Sequence, residues 1–480
     1  MKSIEISLNN KKKRETTFRR KSVYATQTDK RPRVKKIFMY TLGILFLTVL
    51  VTGVAFGGKI MSVLHKSNIK INPIRIITRS FNEEVPQLKK GSDDRTNGLL
   101  VGIDTRPSDP GLKNTDTIIA ASLNHKTKEV AMISIPRDFF VENPRAPGYY
   151  TKINAIYNIC ESNQKDDGMK CLSEVVEEIT GLEIHYYGMI DTGGMIKVID
   201  TLGGIEVDVE RAFIDYMFPL HDYSGVMTVN FDKGLQHMDG ETAMIFARSR
   251  YSQSTEGSDF ARARRQQRVI IATRNKLMEK ENFLNLSKIW GILDSLGDSV
   301  KTSGVTDEDI LASIDLIKKI DRENIFSLVL DPIAGNWSLV HEDSSISGYQ
   351  ITPKAGLGNW TDVRHFVQQY ISNPGLYSEN ARIYVYDGGI GYYEAYAVYQ
   401  ELTDKYPYLN ITFGGTPWIL NLEGIQIVTF SESPKFNTLN RLNDHFDTKW
   451  EKDAPEFVSN IYAEDIVILI GKPAPEESIP

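Results

Sequence analysis

The segment Arg248-Ser-Arg-Tyr-Ser-Gln-Ser-Thr-Glu-Gly-Ser-Asp-Phe-Ala-Arg-Ala-Arg-Arg-Gln266 holds five arginines within nineteen residues. From Asp259 onward it predicts a helix, on which Asp259, Arg262 and Gln266 share one face. If residues 248–250 are extended, the arginines at both ends point to the same side. Planar guanidinium groups bind phosphate in a bidentate manner, so their convergence predicts a site for a multiply charged anion such as a pyrophosphate. A solvated helix face with a salt bridge is the alternative at this point.

The length, composition and charge distribution of the chain limit the kinds of protein it can be. The 480 residues suffice for two or three domains, and a content of 41% hydrophobic and 25% charged residues is typical of a globular protein. Residues 1–36 carry 13 Lys or Arg and three acidic residues, a net of +10, so the overall charge of −6 leaves about −16 on the remainder. We expect this basic tail to be disordered, and either to contact anionic lipid headgroups or to act only as a topology signal.

An uncharged apolar run covers Ile37–Gly57. As a helix it reaches roughly 30 Å, the thickness of a bilayer core. Because basic residues stay on the cytoplasmic side, the run predicts a single-pass anchor in the cell membrane, with the N-terminus cytoplasmic and the large C-terminal part outside. A cleaved signal peptide is the alternative, but the run is longer than a typical signal core and no clear Ala-x-Ala site follows it. Residues 58–95 then predict a juxtamembrane linker.

Only two cysteines are present, Cys160 and Cys171, on either side of a polar segment. Outside the membrane this spacing favours a loop-closing disulfide, with two free thiols as the alternative. A zinc site is disfavoured because further His or Cys ligands are missing nearby.

Three predicted strands end in polar residues. The strands are Gly98–Ile103, Ile118–Leu123 and Val130–Ile135. Their ends and adjoining loops carry Asp104, Asp116 and Arg137, and open α/β sheets usually bind ligands at such positions. Two carboxylates near a phosphate site suit a hard cation such as Mg²⁺, whereas ordinary Asp residues in turns are the alternative.

The rest of the chain alternates helix and strand patterns. Helices are predicted at 171–181, Thr192–Leu202, Asp239–Phe246 and Asn359–Tyr370, and the arginine helix continues to Leu277. Residues 381–472 predict a smaller α/β module, with strands at Ala381–Tyr386, Ile411–Phe413, Ile425–Phe430 and Ile466–Ile470. We find no internal repeats.

Taken in order, these motifs resemble those of the LytR-CpsA-Psr family of envelope phosphotransferases. The matching residues are Val101-Gly-Ile-Asp104-Thr-Arg106, Asn114-Thr-Asp116-Thr, Ser134-Ile-Pro-Arg137-Asp138, Lys152-Ile-Asn154-Ala, Leu202-Gly-Gly and the segment from Arg248 to Gln266. Each motif is weak alone, but their order over residues 96–375, behind a basic tail and an anchor, is specific. Residues 381–472 resemble the family's optional C-terminal domain more loosely. The resemblance implies a mixed sheet flanked by helices, an α/β/α core, with an apolar cavity for a polyprenyl chain.

The resemblance further implies a transferase that moves a glycopolymer (teichoic acid, capsular or other wall polysaccharide) with one phosphate from a polyprenyl-pyrophosphate carrier to peptidoglycan. Mg²⁺ or Mn²⁺ would be held by Asp104 and Asp116. The residues implied to bind pyrophosphate are Arg106, Arg137, Lys152, Arg248, Arg250, Asp259, Arg262 and Gln266. Arg137, Asp138 and Arg262 would be catalytic, with Asp138 either orienting Arg137 or acting as a base. Such an enzyme acts by positioning the reacting groups and by neutralising the charge on the phosphates.

The chain departs from the family pattern in a longer spacer between Arg250 and Asp259 and in an apparent insertion around the cysteines. A pyrophosphatase, which passes the same phosphoryl group to water, and a non-catalytic scaffold for wall glycan or lipid are the competing interpretations. The pairing of two acidic positions with the arginines argues against a binder of neutral sugar. Direct contact with nucleic acid is disfavoured, because only about 36 residues are predicted to face the cytoplasm and the remainder is acidic.

Overall fold

We describe the protein from a computed structural model, for residues 86–106, 109–220, 225–279, 282, 299–332, 339–344, 348–416, 421–429, 434–452 and 465–473. The predicted tail 1–36, the predicted anchor 37–57 and most of the predicted linker 58–95 lie outside these residues. Among the helices in the described ranges, none is both long and apolar enough to cross a membrane.

A six-stranded mixed sheet lies at the centre of the fold. With strands numbered along the chain, its members are β1 (Arg95–Arg106), β2 (Asp109–Asn124), β3 (Val130–Ser134), β6 (Tyr186–Asp191), β11 (Val300–Thr302) and β12 (Ile325–Val329). Their order is β11-β6-β1-β2-β3-β12. Strand β1 pairs with β2 antiparallel and with β6 parallel, and β3 pairs with β12 parallel. The three strands predicted from the sequence are therefore confirmed and are neighbours.

Four two-stranded ribbons and seven helices accompany this sheet within the described residues. The ribbons are β4–β5 (Phe140–Asn143, Ala146–Lys152), β7–β10 (Ile205–Val209, Gly234–Met238), β8–β9 (Phe213–Pro219, Val226–Phe231) and β13–β14 (Val340–Asp343, Gln350–Pro353). The helices are α1 (Ile153–Asn163), α2 (Gly168–Thr180), α3 (Thr192–Leu202), α4 (Gly240–Arg248), α5 (Asp259–Met278), α6 (Asp307–Lys319) and α7 (Thr361–Ser372).

Side chains of β1 alternate between the two faces of the sheet. Leu99, Val101 and Ile103 are buried in the main apolar core together with residues of α1, α2 and α7. Leu100 and Gly102 alternate with them and line a cavity to which α5 also contributes. The central sheet thus lies between helices on both faces, as an α/β/α architecture requires.

The predicted disulfide between Cys160 and Cys171 is present, and it joins α1 to α2. Both cysteines are fully buried in the main core. The bond therefore links two helices that cover the same face of the sheet.

A second, five-stranded sheet follows. After the short helix α8 (Pro374–Ser378), its strands are β15 (Arg382–Asp387), β16 (Asn410–Gly415), β17 (Ile425–Thr429), β18 (Trp450–Glu451) and β19 (Ile466–Ile470), with helices α9 (Tyr392–Lys405) and α10 (Phe436–Phe446). The order is β16-β15-β19-β17-β18. Its buried residues, among them Ile383 and Ile468, belong to the same apolar cluster as the core of the first sheet.

Candidate functional site

Helix α5 presents Asp259, Arg262 and Gln266 on one side, as their spacing predicts. Ser258 caps the helix, since its Oγ accepts a hydrogen bond from the amide of Ala261 at 3.1 Å. Arg262 Nη1 lies 3.1 Å from Asp259 Oδ1. Gln266 lies one helical turn further along, and it lines the same two cavities as Arg262, a small one and a larger one that are described below. The cap and the ion pair together fix the Arg262 guanidinium at the start of the helix.

Asp116 lies in a β-bulge of β2. Thr115 and Thr117 pair with consecutive residues of β1, so Asp116 between them is an extra, unpaired residue. A bulge redirects a side chain out of the regular alternation. The Asp116 carboxylate accepts a hydrogen bond from Arg137 Nη1 at 3.0 Å, and its carbonyl accepts one from Arg262 Nη2 at 3.4 Å. The bulge thereby brings β2 into contact with both arginines.

Arg137 follows β3 and lies among three carboxylates. Its guanidinium nitrogens are 3.0 Å from Asp116, 3.4 Å from Asp138 and 3.7 Å from Asp259. Burial alone would lower the pKa of Arg137, but the three carboxylates raise that pKa above its ordinary value. In contrast, burial and then the neighbouring charge of Arg137 lower the pKa of Arg262. Both guanidiniums stay protonated at physiological pH, so a bound anion would relieve the repulsion between them.

Asp138 is engaged through both carboxylate oxygens. Lys152 Nζ donates to Asp138 Oδ1 at 2.7 Å, and Asp138 Oδ2 lies 3.4 Å from Arg137 Nε. Lys152 is the last residue of β5 and its ammonium lies 5.9 Å from the centre of the Tyr349 ring. Asp138 thus connects two of the basic side chains that the sequence singles out.

Three buried polar atoms of this cluster have no hydrogen-bond partner among the described residues: Arg137 Nε, Arg262 Nε and Asp259 Oδ1. Buried polar groups are nearly always hydrogen-bonded. The Nε–H group of Arg262 therefore suits an acceptor that the described residues do not supply, such as a phosphate oxygen. Arg137 Nε and Asp259 Oδ1 have ion-pair contacts only, 3.4 Å from Asp138 Oδ2 and 3.1 Å from Arg262 Nη1.

Arg248 and Arg250 reach the cavity, although not from an extended segment. Arg248 is the last residue of α4, and Arg250 lies in the irregular connection between α4 and α5. We call residues 249–251 of this connection the arginine turn. The Arg248 guanidinium lies 6.0 Å from the ring centre of Phe218, and that of Arg250 lies 4.9 Å from the ring centre of Tyr251. Arg250 Nη2 also donates to the Tyr251 hydroxyl at 2.6 Å. Residues 248–250 are therefore not extended throughout, which was the condition for their predicted convergence. Both arginines nevertheless line the same cavity.

The cavity between the sheet and α5 has a volume of about 520 Å³, within the usual range of ligand pockets. Its apolar lining includes Leu100, Ile190, Met195, Val269, Ile270 and Leu277. The polar lining includes five arginines, Arg137, Arg248, Arg250, Arg262 and Arg274. Arg274 donates to the carbonyls of Ile317 and Ile320. The cavity therefore combines an apolar wall with five guanidinium groups, four of which belong to residues that the sequence predicts.

The two predicted metal ligands lie on neighbouring strands, Asp104 on β1 and Asp116 on β2. The side chains of Asp104 and Arg106 lie outside the described part of the structure, so both roles stay predictions. In the described part, the one group of three metal-ligating side chains within mutual reach is Cys160, Asp167 and Cys171, whose thiols form the disulfide. Of the two predicted ligands, the Asp116 carboxylate is described, and it lies beside Arg137.

Three further residues shape this site without a signal in the sequence. Asp215 and Arg265 contact the turn that carries Arg250, and Tyr349 lines a small cavity beside Arg137. Arg265 belongs to the arginine-rich segment of the sequence, and it is fully buried.

A family model, the LytR_cpsA_psr family, matches residues 63–350. The teichoic acid transferase TagU of Oceanobacillus iheyensis (polyisoprenyl-teichoic acid–peptidoglycan teichoic acid transferase) is 33% identical over 269 residues, which cover 55% of this chain and 77% of that protein. Biofilm regulatory protein A of Streptococcus mutans is 26% identical over 231 residues, 46% of this chain and 54% of that protein. The crystal structure of Bacillus subtilis TagV has a TM-score of 0.43 and 26% identity, over 59% of this chain and 99% of that chain.

Proposed function

The chain belongs to the LytR-CpsA-Psr family, and on this premise we propose that it transfers a glycopolymer with one phosphate from a polyprenyl-pyrophosphate carrier to peptidoglycan. The proposal depends above all on one cavity of about 520 Å³, whose lining combines apolar side chains with a group of arginines that includes Arg137, Arg248, Arg250 and Arg262. A polyprenyl pyrophosphate has the same two parts, an apolar chain and a multiply charged headgroup. The similarity to a protein named as a teichoic acid transferase favours teichoic acid as the polymer.

The reaction forms and breaks one bond each at a single phosphorus. The acceptor hydroxyl oxygen attacks the phosphorus that bears the sugar, and the bond from this phosphorus to the bridging oxygen breaks. Polyprenyl phosphate leaves with the electron pair, and the hydroxyl proton passes to a base or to solvent. Arg137 donates to the side chain of Asp116 at 3.0 Å, and Arg262 donates to its main-chain carbonyl at 3.4 Å. The positive charges of both arginines are therefore in place before the reaction begins. Preorganised charge of this kind stabilises the developing negative charge.

Asp138 supports this chemistry by orientation. Asp138 is buried, and its carboxylate engages both Lys152 and Arg137. Lys152 contacts Oδ1 and Arg137 contacts Oδ2, so both carboxylate oxygens are already engaged. Of its two predicted roles, the contacts therefore favour orienting Arg137.

Asp116, together with Asp104, would hold Mg²⁺ or Mn²⁺, which when bound would neutralise charge on the phosphate oxygens. Asp116 remains about one-quarter exposed at the cavity, so an oxygen of this carboxylate can contact a ligand while Arg137 binds the other.

We place the domain on the outer face of the cell membrane. The apolar run 37–57 behind a basic tail supports a single-pass anchor. The disulfide between Cys160 and Cys171 supports an oxidising compartment. In that location, the site meets both the carrier lipid and the wall.

The full chain in detergent, incubated with a polyprenyl-pyrophosphate-linked saccharide, Mg²⁺ and peptidoglycan fragments, tests the proposal. We expect sugar attached to the fragments and an equal amount of polyprenyl phosphate. An Arg262→Lys variant should lose both products, whereas Arg264→Lys, on the same helix but exposed at the surface, should keep them. Polyprenyl phosphate without attached sugar would instead identify a pyrophosphatase, and tight lipid binding without any product would identify a scaffold.

A further inference from the structure

A fully buried carboxylate lies beneath the turn that carries Arg250. Asp215, on β8, has no exposed surface. Its Oδ2 accepts hydrogen bonds from the amides of Arg250 at 3.0 Å and Tyr251 at 3.2 Å, and its Oδ1 accepts one from Met217 at 3.0 Å. Within the described residues, no basic side chain lies within ion-pair distance of Asp215. The charge is therefore balanced by backbone N–H groups, two of which belong to the arginine turn.

A buried guanidinium holds the same turn from its carbonyl side. Arg265, on α5, donates to the carbonyls of Phe246 at 2.9 Å and of Ser249, and it forms an ion pair with Glu256 at 2.8 Å. It has no exposed surface, and burial lowers its pKa to about 10. The turn between α4 and α5 is thus bound by an anion at its N–H groups and by a cation at its C=O groups.

Strand β8 contributes more than the carboxylate. Phe213 lies 4.7 Å from the Arg265 guanidinium, and Phe218 lies 6.0 Å from that of Arg248. Asp215, between these two residues, forms an isolated β-bridge with Ser252. Strand β8 therefore contacts the arginine turn itself and also the guanidinium groups of Arg248 and Arg265.

We propose that Asp215 is a positioning residue that holds residues 249–251 so that Arg248 and Arg250 face the cavity. Arg265 assists from the opposite side of the turn. The inference rests on the proposed function in one respect, since it takes the ligand of these arginines to be the pyrophosphate of the carrier.

An amide cannot replace the carboxylate here. The two oxygens of Asp215 accept three hydrogen bonds, on both sides of the carboxyl group. In Asp215→Asn, one oxygen becomes an NH₂ group, which faces N–H donors and leaves at least one of them unsatisfied in a buried place. Such a loss destabilises the local conformation without removing either arginine.

Binding of inorganic pyrophosphate to the full chain in detergent, measured by titration calorimetry, tests the inference. We expect Asp215→Asn to raise the Kd about tenfold. The matched control is Asp309→Asn, which removes another buried carboxylate that accepts a backbone N–H, from Thr306 at 2.9 Å, and lies outside the cavity lining. This control should lower the thermal midpoint and leave the Kd unchanged.

A double-mutant cycle separates positioning from a general loss of structure. In a chain that already carries Arg248→Ala and Arg250→Ala, Asp215→Asn should have no further effect on the Kd, because its effect passes through these arginines. An equal loss in both backgrounds would overturn the inference. So would an unchanged Kd of Asp215→Asn in the wild-type background.

Arg265→Lys gives a second route if Asp215→Asn does not fold. It keeps a positive charge but loses the fork that reaches several acceptors, and it should raise the pyrophosphate Kd in the same manner. Failure of the wild-type chain to bind pyrophosphate would overturn the proposed function and this inference together. Pyrophosphate binding by the wild type with no effect of either variant would overturn this inference alone.

Discussion

Arg137 Nη1 lies 3.0 Å from Asp116 Oδ1, and this bond joins the end of β3 to the bulge of β2. The bulge places a carboxylate beside a guanidinium at the edge of the cavity, and Arg262 contacts the carbonyl of the same aspartate.

Replacing Arg262 by lysine should lower kcat/KM for polymer transfer by about 100-fold or more. Lysine retains the charge, but it loses the planar fork that spans Asp259 and the carbonyl of Asp116. Initial rates of acceptor labelling measure the effect. Arg264→Lys is the control, because Arg264 pairs with Asp331 at 3.8 Å, away from the cavity lining. A variant at Arg262 with more than half of the wild-type rate would contradict this role.

Removal of divalent metal with a chelator should abolish transfer, and added Mg²⁺ should restore it. Asp116→Asn should raise the Mg²⁺ concentration needed for half-maximal rate by about tenfold or more, because it removes one ligand charge. Asp208→Asn serves as control, since Asp208 is an exposed carboxylate on β7. Transfer that continues at full rate in the chelator would show that the metal assignment is wrong.

Gly188 offers a test of the apolar cavity. It lies in β6, lines the cavity, and a Cβ added there meets no atom within 4 Å. Gly188→Val should therefore fill space meant for ligand, raising KM for the polyprenyl substrate about tenfold while the thermal midpoint stays equal or rises. Gly98→Val, on the adjacent strand β1 and outside the lining, should leave KM unchanged. Equal KM values for both variants would exclude this cavity as the lipid site.

Loss of the disulfide should lower the free energy of unfolding by about 3 kcal/mol, as expected for a short closed loop. Urea titration measures the effect. The free energy of unfolding of the double variant Cys160→Ser, Cys171→Ser should equal that of the wild type in the presence of reductant. Reductant should not change the value for the double variant. Neither cysteine lines the cavity, so transfer activity should remain. A fall in activity without a fall in stability would assign these residues a different role.

The stability of the protein should depend on pH through His445. Burial, and then the charge of Lys405, lowers the pKa of His445 below its ordinary value of 6.5, and its Nδ1 lies 2.8 Å from Lys405 Nζ. The unfolded chain takes up this proton below about pH 6.5, whereas the folded chain does so only at lower pH. Full stability is therefore present above pH 6.5 and is lost as the pH falls below it.

Thermal midpoints at pH 7.5 and 5.5 measure this dependence. His445→Gln should show a smaller fall than the wild type, whereas His237→Gln, at an exposed position, should behave as the wild type does. His125 also has a lowered pKa and contributes in the same direction in all three chains. A His445→Gln variant with an undiminished fall would contradict the assignment.

Local sequence signals predicted those elements whose limits depend on nearby residues. Helix α3 begins and ends where expected because Asp191 caps its start, accepting from the amide of Gly194 at 2.7 Å, and Gly203 ends it at a φ of +83°. The shared face of Asp259, Arg262 and Gln266 follows from helical spacing alone. The disulfide also followed from spacing and the expected compartment.

Other parts of the site depend on contacts between distant residues and could not be predicted in this way. The bulge at Asp116 arises from the pairing of β2 with β1. The turn at Arg250 is held by Asp215, which precedes it by 35 residues. The cavity is bounded by strands and helices that only the packed fold brings together. Its presence was predicted from the family resemblance alone.

The shared core of the two sheets bears on how such a protein can change in evolution. Phe366 on α7 is fully buried, and its ring lies 4.9 Å from that of Tyr408, which precedes β16 of the second sheet. A lineage that shed residues 381–472 in one deletion would expose this aromatic surface to water. Loss of the second sheet would thus have to follow, or be accompanied by, polar substitutions on α7.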